Sequence, residues 1–187
     1  MPRFNVGEAK VPGRKPSRVG LTKEPKPQLV EMAPQKVAAI KTKGDPNKVA
    51  SKIMPALYGS VYRLKFERKK HGGDFKVGPL RARWPDAPSV PKAEWTGVWA
   101  LPVPSDTTDI PQKVPELPVE LQTWEYGLVA QVTHIGPYRT EKKTVERLRR
   151  FIREEGYEIS GDHEEEYITR PDARVQKTII RYPVRKA

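Results

Sequence analysis

Apolar positions recur along this chain with a strand-like period in some segments and a helix-like period in others. Lys36–Lys43 (KVAAIKTK) reads as a strand ended by Gly44-Asp45-Pro46. Asp45 suits a helix N-cap, with Pro46 in the first helical position. Val49, Ile53, Leu57, Val61 and Leu64 then follow at close to helical spacing, which predicts a helix to about Lys70 that stops at Gly72-Gly73. Pro55 inside this span predicts a kink or a later effective start. Leu80–Trp84 (LRARW), closed by Pro85, and Ala93–Val103 (AEWTGVWALPV) read as strands. Alternation puts Trp95, Gly97, Trp99 and Leu101 on one face of the second strand. A glycine in mid-strand marks close approach by a ligand or by another backbone.

Five prolines among polar residues between Pro102 and Pro118 mark a linker. Thr123–Ile135 (TWEYGLVAQVTHI) then reads as a strand closed by Gly136-Pro137. Thr140 suits an N-cap, Glu141 is favourable in the first turn, and Val145, Leu148, Phe151 and Ile152 form an apolar helical stripe that ends at Gly156. Glu164–Thr169 and Thr178–Val184 read as the last two strands. Val37-Ala38-Ala39-Ile40 with Gly44 matches Val129-Ala130-Gln131-Val132 with Gly136, and Val98–Val103 matches Ile179–Val184 in the same order. The chain therefore reads as an α+β fold made of a duplicated β-α-β-β module. Two pseudo-symmetric halves form a curved antiparallel sheet with two helices and a central ligand cleft. The first repeat is read over about 34–104, the linker over 105–118 and the second repeat over about 119–187.

Residues 1–33 are rich in proline and lysine and poor in large apolar side chains, which reads as a basic arm outside the core. Lys and Arg number 35 against 23 Asp and Glu, a net charge of +12, of which Met1–Gln28 carries +5. This balance permits nucleic-acid contact through residues 1–28, although no helix-turn-helix, RNP-type or zinc-finger pattern accompanies it. With no cysteine, disulfides, thiolate metal sites and thiol nucleophiles are excluded. His71, His134 and His163 lie far apart and in no metal-ligand spacing, so no metal site is expected. No apolar run is long enough to span a membrane and the N-terminus lacks an apolar signal core, so a cytoplasmic protein is expected.

Several motifs carry a family resemblance. Thr133-His134-Ile135-Gly136-Pro137-Tyr138, the helix after it, Gly156-Tyr157-Glu158-Ile159, Glu165-Glu166-Tyr167-Ile168 and Ile180-Arg181-Tyr182-Pro183-Val184 resemble the C-terminal half of GyrI-like effector-binding proteins. That family includes the drug-binding domain of BmrR-type regulators. Gly44-Asp45-Pro46, Leu57-Tyr58, Val61–Phe66 and Pro79-Leu80 leading to Trp84 resemble its stand-alone subfamily. The resemblance covers roughly Pro34 to the end. It implies a small-molecule pocket between the halves, hydrophobic and often cationic aromatic ligands, and a glutamate of an E-x-Y strand at the pocket centre with aromatic walls. Some stand-alone members are hydrolases that open the cyclopropane of DNA-alkylating natural products, and some family members are gyrase inhibitors. No cofactor is implied. No N-terminal DNA-binding domain precedes the duplicated region, so a BmrR-type transcription factor is not expected.

On this sequence E-x-Y falls on Glu165 and Tyr167. Taken alone, Glu164-Glu165-Glu166 also fits a solvated charge run. Alternation puts Glu165 and Tyr167 on one face and Glu164, Glu166 and Ile168 on the other. Trp84, Trp95, Trp99 and Trp124 fit core positions as well as pocket walls. The resemblance makes Glu165, Tyr167, Trp84, Trp99 and Trp95 the expected ligand contacts, with Tyr126 and Tyr58 behind them. Tyr138 and His134 are expected to serve the turn and the helix start. In an enzyme, Glu165 would be the acid/base and Tyr167 would hold a water or a substrate oxygen. The subfamily tends to carry paired tryptophans where this chain has Arg83-Trp84, and alternation turns Arg83 away from Trp84. Three functions follow: capture of hydrophobic or cationic aromatic compounds, hydrolysis of a strained electrophile, and action on a macromolecular partner such as DNA gyrase.

Overall fold

A computed structural model describes residues 24–87 and 89–187. Its elements are β1 (Gln28–Met32), β2 (Gln35–Lys43), α1 (Pro46–Lys70), β3 (Leu80–Trp84), β4 (Thr96–Pro102), β5 (Glu120–Trp124), β6 (Gly127–Ile135), α2 (Glu141–Glu154), β7 (Tyr157–Ile159), β8 (His163–Tyr167) and β9 (Lys177–Lys186). Eight strands follow one another in the order β1-β6-β9-β8-β3-β4-β2-β5, and β7 pairs with β9 off this path. Every ladder is antiparallel.

The connections fix the shape of this sheet. β1 and β2 stand six places apart, which in a flat sheet is about 29 Å at ~4.8 Å per strand. Yet only Ala33 and Pro34 join them, and such a link reaches roughly 10 Å. β5 and β6 are joined as tightly, through Glu125 and Tyr126. The sheet therefore curls until its ends approach, giving an antiparallel half-barrel. β3 and β8 meet at the join of the halves, where Ala82 lies opposite Glu165 and Trp84 opposite His163.

Each half carries one more strand at its start than the β-α-β-β reading, and the second half also has the short β7 after its helix. Gln28–Met32, assigned to the arm by its composition, is β1 and pairs with β6 of the other half. β5 in turn pairs with β2. The repeat is thus ββαββ, with its first strand exchanged. β1 was hidden because it is an edge strand with half-buried Leu29, Val30 and Met32 beside exposed Gln28 and Glu31. The basic arm read over residues 1–28 lies, up to residue 23, outside the described residues. Trp124 ends β5, so Thr123–Ile135 is two strands, parted where the chain turns back into the other half.

α1 begins as its sequence predicts: the Asp45 carboxylate accepts from Asn47 N at 3.0 Å and Pro46 follows the cap. The helix runs on through Pro55. Pro55 is exposed, so water can satisfy the Ser51 carbonyl that loses its donor. α1 buries Ile53, Leu57, Val61 and Leu64 against Ala38, Ile40, Ala82, Trp99 and Leu101. α2 buries Leu148 and Ile152 against Ala130, Val132, Ile180 and Tyr182 on the same face of the sheet. Thr140 stands at the N-cap of α2 but donates its hydroxyl to the Pro137 carbonyl at 2.8 Å, because a 3₁₀ turn (Tyr138–Thr140) leads into the helix. Gly44 and Gly136, matched in the repeat, both adopt left-handed φ, +127° and +137°. Residues 105–118 form no strand or helix, yet Ile110 is buried in the α1 core and Lys113 N donates to Ser60 Oγ at 3.0 Å. The Pro-rich segment is a packed strap.

The opposite face lines the inside of the curl. Val37, Ala39, Ala100, Trp124, Tyr126 and Val129 form its apolar part. Beside them lies a buried ionic network. Glu164 accepts from Arg83 Nε, Arg181 Nη1 and the Tyr126 hydroxyl, at 2.8, 2.8 and 2.9 Å. Glu166 accepts from Arg181 Nη2 at 2.7 Å, and Arg81 Nη1 donates to the Tyr126 hydroxyl at 2.8 Å. Burial would lower the Arg181 pKa, but Glu164 and Glu166 outweigh that and raise it. The network ties β3 of one half to β8 and β9 of the other.

Candidate functional site

On the helix-covered face, β8 presents His163, Glu165 and Tyr167 at alternate positions, beside Trp84 and Ala82 of β3 and Ile180 and Tyr182 of β9. The small Ala82 opposite Glu165 leaves room for the carboxylate. Glu165 is held at both oxygens: the Tyr167 hydroxyl donates to Oε2 at 2.6 Å, and His163 Nε2 lies 3.1 Å from Oε1. His163 Nδ1 lies 2.7 Å from the Tyr182 hydroxyl, which also accepts from Arg149 Nη2 at 3.1 Å. A neutral ring satisfies this geometry if Tyr182 donates to Nδ1 and Nε2–H donates to Glu165.

A second carboxyl joins this group. Glu141, the first residue of α2, is buried, and one atom each from Glu141, His163 and Glu165 lie within 4.8 Å of one another. Glu141 Oε1 has no hydrogen-bond partner among the described residues. Burial, and then the charge of Glu165, pushes the Glu141 carboxyl up to about 8. The same two causes raise the phenols of Tyr138 and Tyr167, which stay neutral at physiological pH.

Aromatic rings border the pair. Trp84 meets Trp99 edge-on at 5.1 Å and Trp95 at 5.7 Å. Trp99 stacks on Tyr167 at 6.5 Å, and Tyr138 meets Tyr167 edge-on at 5.7 Å. Trp84 and Trp99 are 4% and 5% exposed, whereas Tyr138 is 41% exposed. Trp99 Nε1 donates to Thr42 Oγ1 at 3.1 Å, whereas Trp84 Nε1 is buried without a partner among the described residues. The rings fill the space between the helices by packing on one another. Two surface depressions, of about 470 and 280 Å³, lie along and beside α2, and neither is lined by Glu165 or a tryptophan.

The profile of the GyrI-like small molecule binding domain matches residues 25–184. This chain is a member of the GyrI-like family. The fold agrees with solved structures. An uncharacterized conserved protein from Listeria innocua superposes with a TM-score of 0.77 at 25% identity, over 88% of this chain and 94% of that one. A hydrolase from Listeria innocua superposes with a TM-score of 0.73 at 24% identity, over the same shares of the two chains, 88% and 94%. The EcmrR C-terminal domain gives 0.65 at 16% identity, over 87% of this chain and 99% of that domain. No curated protein sequence matches the chain.

In this GyrI-like domain Glu165, Tyr167, Trp84, Trp95 and Trp99 gather on one face of the sheet. Tyr126 is not with them: it lies in the ionic network, bonded to Arg81 and Glu164 on the other face. Tyr58 packs from α1 on the first-half core. Arg83 points away from Trp84, with its guanidinium 4.0 Å from the Trp124 ring and bonded to Glu164. Three residues of the group escaped the sequence reading. His163 carried a signal, since it precedes Glu165 by two and shares its face. Glu141 and Tyr182 carried none, because only the packing of α2 and β9 brings them to β8. His134 bridges Thr144 and the Pro137 carbonyl, at 2.9 and 3.2 Å, and so serves the turn.

Gly97 answers to a side chain. A Cβ there would lie 2.8 Å from Trp84 Cζ3 and 3.0 Å from Trp99 Nε1. Gly97→Ala should cost about 1–3 kcal/mol by overpacking and alter the near-ultraviolet circular dichroism of the tryptophans. An unchanged urea midpoint and spectrum would show that the glycine is not needed for the indoles.

Proposed function

We propose that this GyrI-like domain captures a hydrophobic, positively charged aromatic molecule at Glu165, with Trp84, Trp99 and Tyr167 as ring contacts and Trp95 as an outer wall. One observation carries the reading: two carboxyl groups, Glu165 and the buried Glu141, lie close together beside a run of aromatic rings. Withdrawing such a pair from water is unfavourable. An organic cation set against it balances the charge, and each ring face adds about 0.5–2 kcal/mol. Since the rings pack on one another, entry requires movement. Tyr138 is the ring to move, because it is exposed and sits on a short 3₁₀ turn over Tyr167.

Fluorescence titration with N-methylacridinium and with neutral acridine tests this. The cation should quench tryptophan saturably and bind about tenfold more tightly than acridine, ~1.4 kcal/mol, and Glu165→Gln should abolish that preference. Quenching that does not saturate, or a preference that survives Glu165→Gln, rejects the reading.

The second carboxyl also favours hydrolysis of a strained electrophile, such as a cyclopropane-bearing alkylator. One carboxyl directs a water at the strained carbon. The other protonates the electron pair released as the carbon–carbon bond breaks, so the product gains one water. Mass spectrometry should find that adduct with the native protein and lose it with Glu165→Gln. Its absence with several such substrates leaves binding alone.

A further inference from the structure

We propose that Glu141, His163 and Glu165 form a binding site for a borderline divalent transition-metal ion, Zn²⁺ or a first-row neighbour. The ligands come from the first position of α2 and from alternate positions of β8. One atom of each lies within 4.8 Å of the other two. Metal bonds of about 2.0–2.2 Å hold such atoms roughly 3–4.4 Å apart, so small side-chain rotations close the set.

The outer contacts are those a metal site requires. The Tyr182 hydroxyl engages His163 Nδ1 at 2.7 Å, which leaves Nε2 facing the carboxylates. Tyr167 holds Glu165 Oε2 at 2.6 Å and leaves Oε1 on the His163 side. Second contacts of this kind orient ligands; the metal takes Nε2 in the tautomer in which Nδ1–H donates to the Tyr182 hydroxyl, whereas the metal-free ring carries its proton on Nε2. An independent observation comes from Glu141. The residue is 9% exposed, and its Oε1 is shut from solvent with no hydrogen-bond partner among the described residues. A buried polar oxygen left unpaired is costly, and a metal ion supplies the missing partner. Arg149 donates to Tyr182 and to neither carboxylate. One imidazole and two carboxylates favour zinc, iron or nickel over magnesium and calcium, and the chain has no thiolate to compete. Three protein ligands leave a fourth position for water or a ligand heteroatom.

This inference shares carboxylates with the aromatic-cation reading but does not rest on it, since metal binding needs no aromatic ligand and tryptophan quenching needs no metal. The untagged full chain is titrated with Co²⁺ and followed by its visible d–d absorption. The expected result is saturation at one ion per chain, with affinity at least ~10-fold lower in His163→Gln and in Glu141→Gln, and unchanged in His71→Gln. Because the buried variants risk misfolding, a second measurement uses the native protein: Zn²⁺ should shift the imidazole nuclear magnetic resonance signals of His163 and leave those of His71 and His134 in place. A titration without saturation, a cobalt spectrum that survives His163→Gln, or zinc shifts at His71 or His134 instead would overturn the site.

Discussion

Replacing Glu164 by alanine is expected to cost about 3–5 kcal/mol, the range for breaking one side of a buried ion pair. Glu164 is 1% exposed and accepts from Arg83, Arg181 and Tyr126. Without it, Arg81 and Arg181 share Glu166, and Arg83 loses the carboxylate it pairs with. Two like charges are then left uncompensated inside the curl, and the Arg181 side chain, 3% exposed, is too buried for water to take the place of the carboxylate. Since β3 belongs to one half and β8 and β9 to the other, the damage falls on the join and therefore on the candidate site. Glu158→Ala is the comparison, because its pair with Arg185 is exposed and should be worth less than about 1 kcal/mol. Urea unfolding of both variants decides the matter: equal, small shifts in midpoint would mean that the network contributes little.

Removing residues 1–33 should damage the fold more than its tail-like composition suggests. The cut takes away β1, which pairs with β6 through all five of its residues. It also strips Leu29 from the α2 core and Val30 and Met32 from the core inside the curl. Fully buried side chains of this size are worth about 1.5–3 kcal/mol each. Three half-buried ones with their ladder make a loss on the order of 3 kcal/mol, against a usual total of about 5–15 kcal/mol. A chain that starts at Glu24 keeps the strand and provides the comparison. If the two truncations unfold at the same urea concentration, β1 is not part of the cooperative fold. Any assay of nucleic-acid binding by the basic arm must therefore cut ahead of Glu24.

The local signals in this chain were strong where one short segment settles its own conformation. Asp45-Pro46 set the start of α1, the LRARW alternation set β3, and the recurrence of Gly44 at Gly136 exposed the duplication. The same alternation separated Glu165 from Glu164 and Trp84 from Arg83. Where the deciding contact lay in the other half of the chain, the local signal failed. Gln28–Met32 looks like tail because an edge strand buries little of itself, and its partner stands about a hundred residues away. Residues 105–118 look like a linker because prolines forbid regular structure, although Ile110 and Lys113 dock on α1.

What the sequence determined by itself was the two helices, most of the strands, the repeat and the sidedness of those strands, because backbone preference and side-chain alternation act over a few neighbouring residues. The curl of the sheet, the exchange of β1 and β5, and the meeting of Glu141 with His163 and Glu165 were decided only in three dimensions. Those features depend on short connections between distant strands and on a helix end set down on a sheet. The energy that fixes them, burial against partners far along the chain, leaves no periodic trace in the residues themselves.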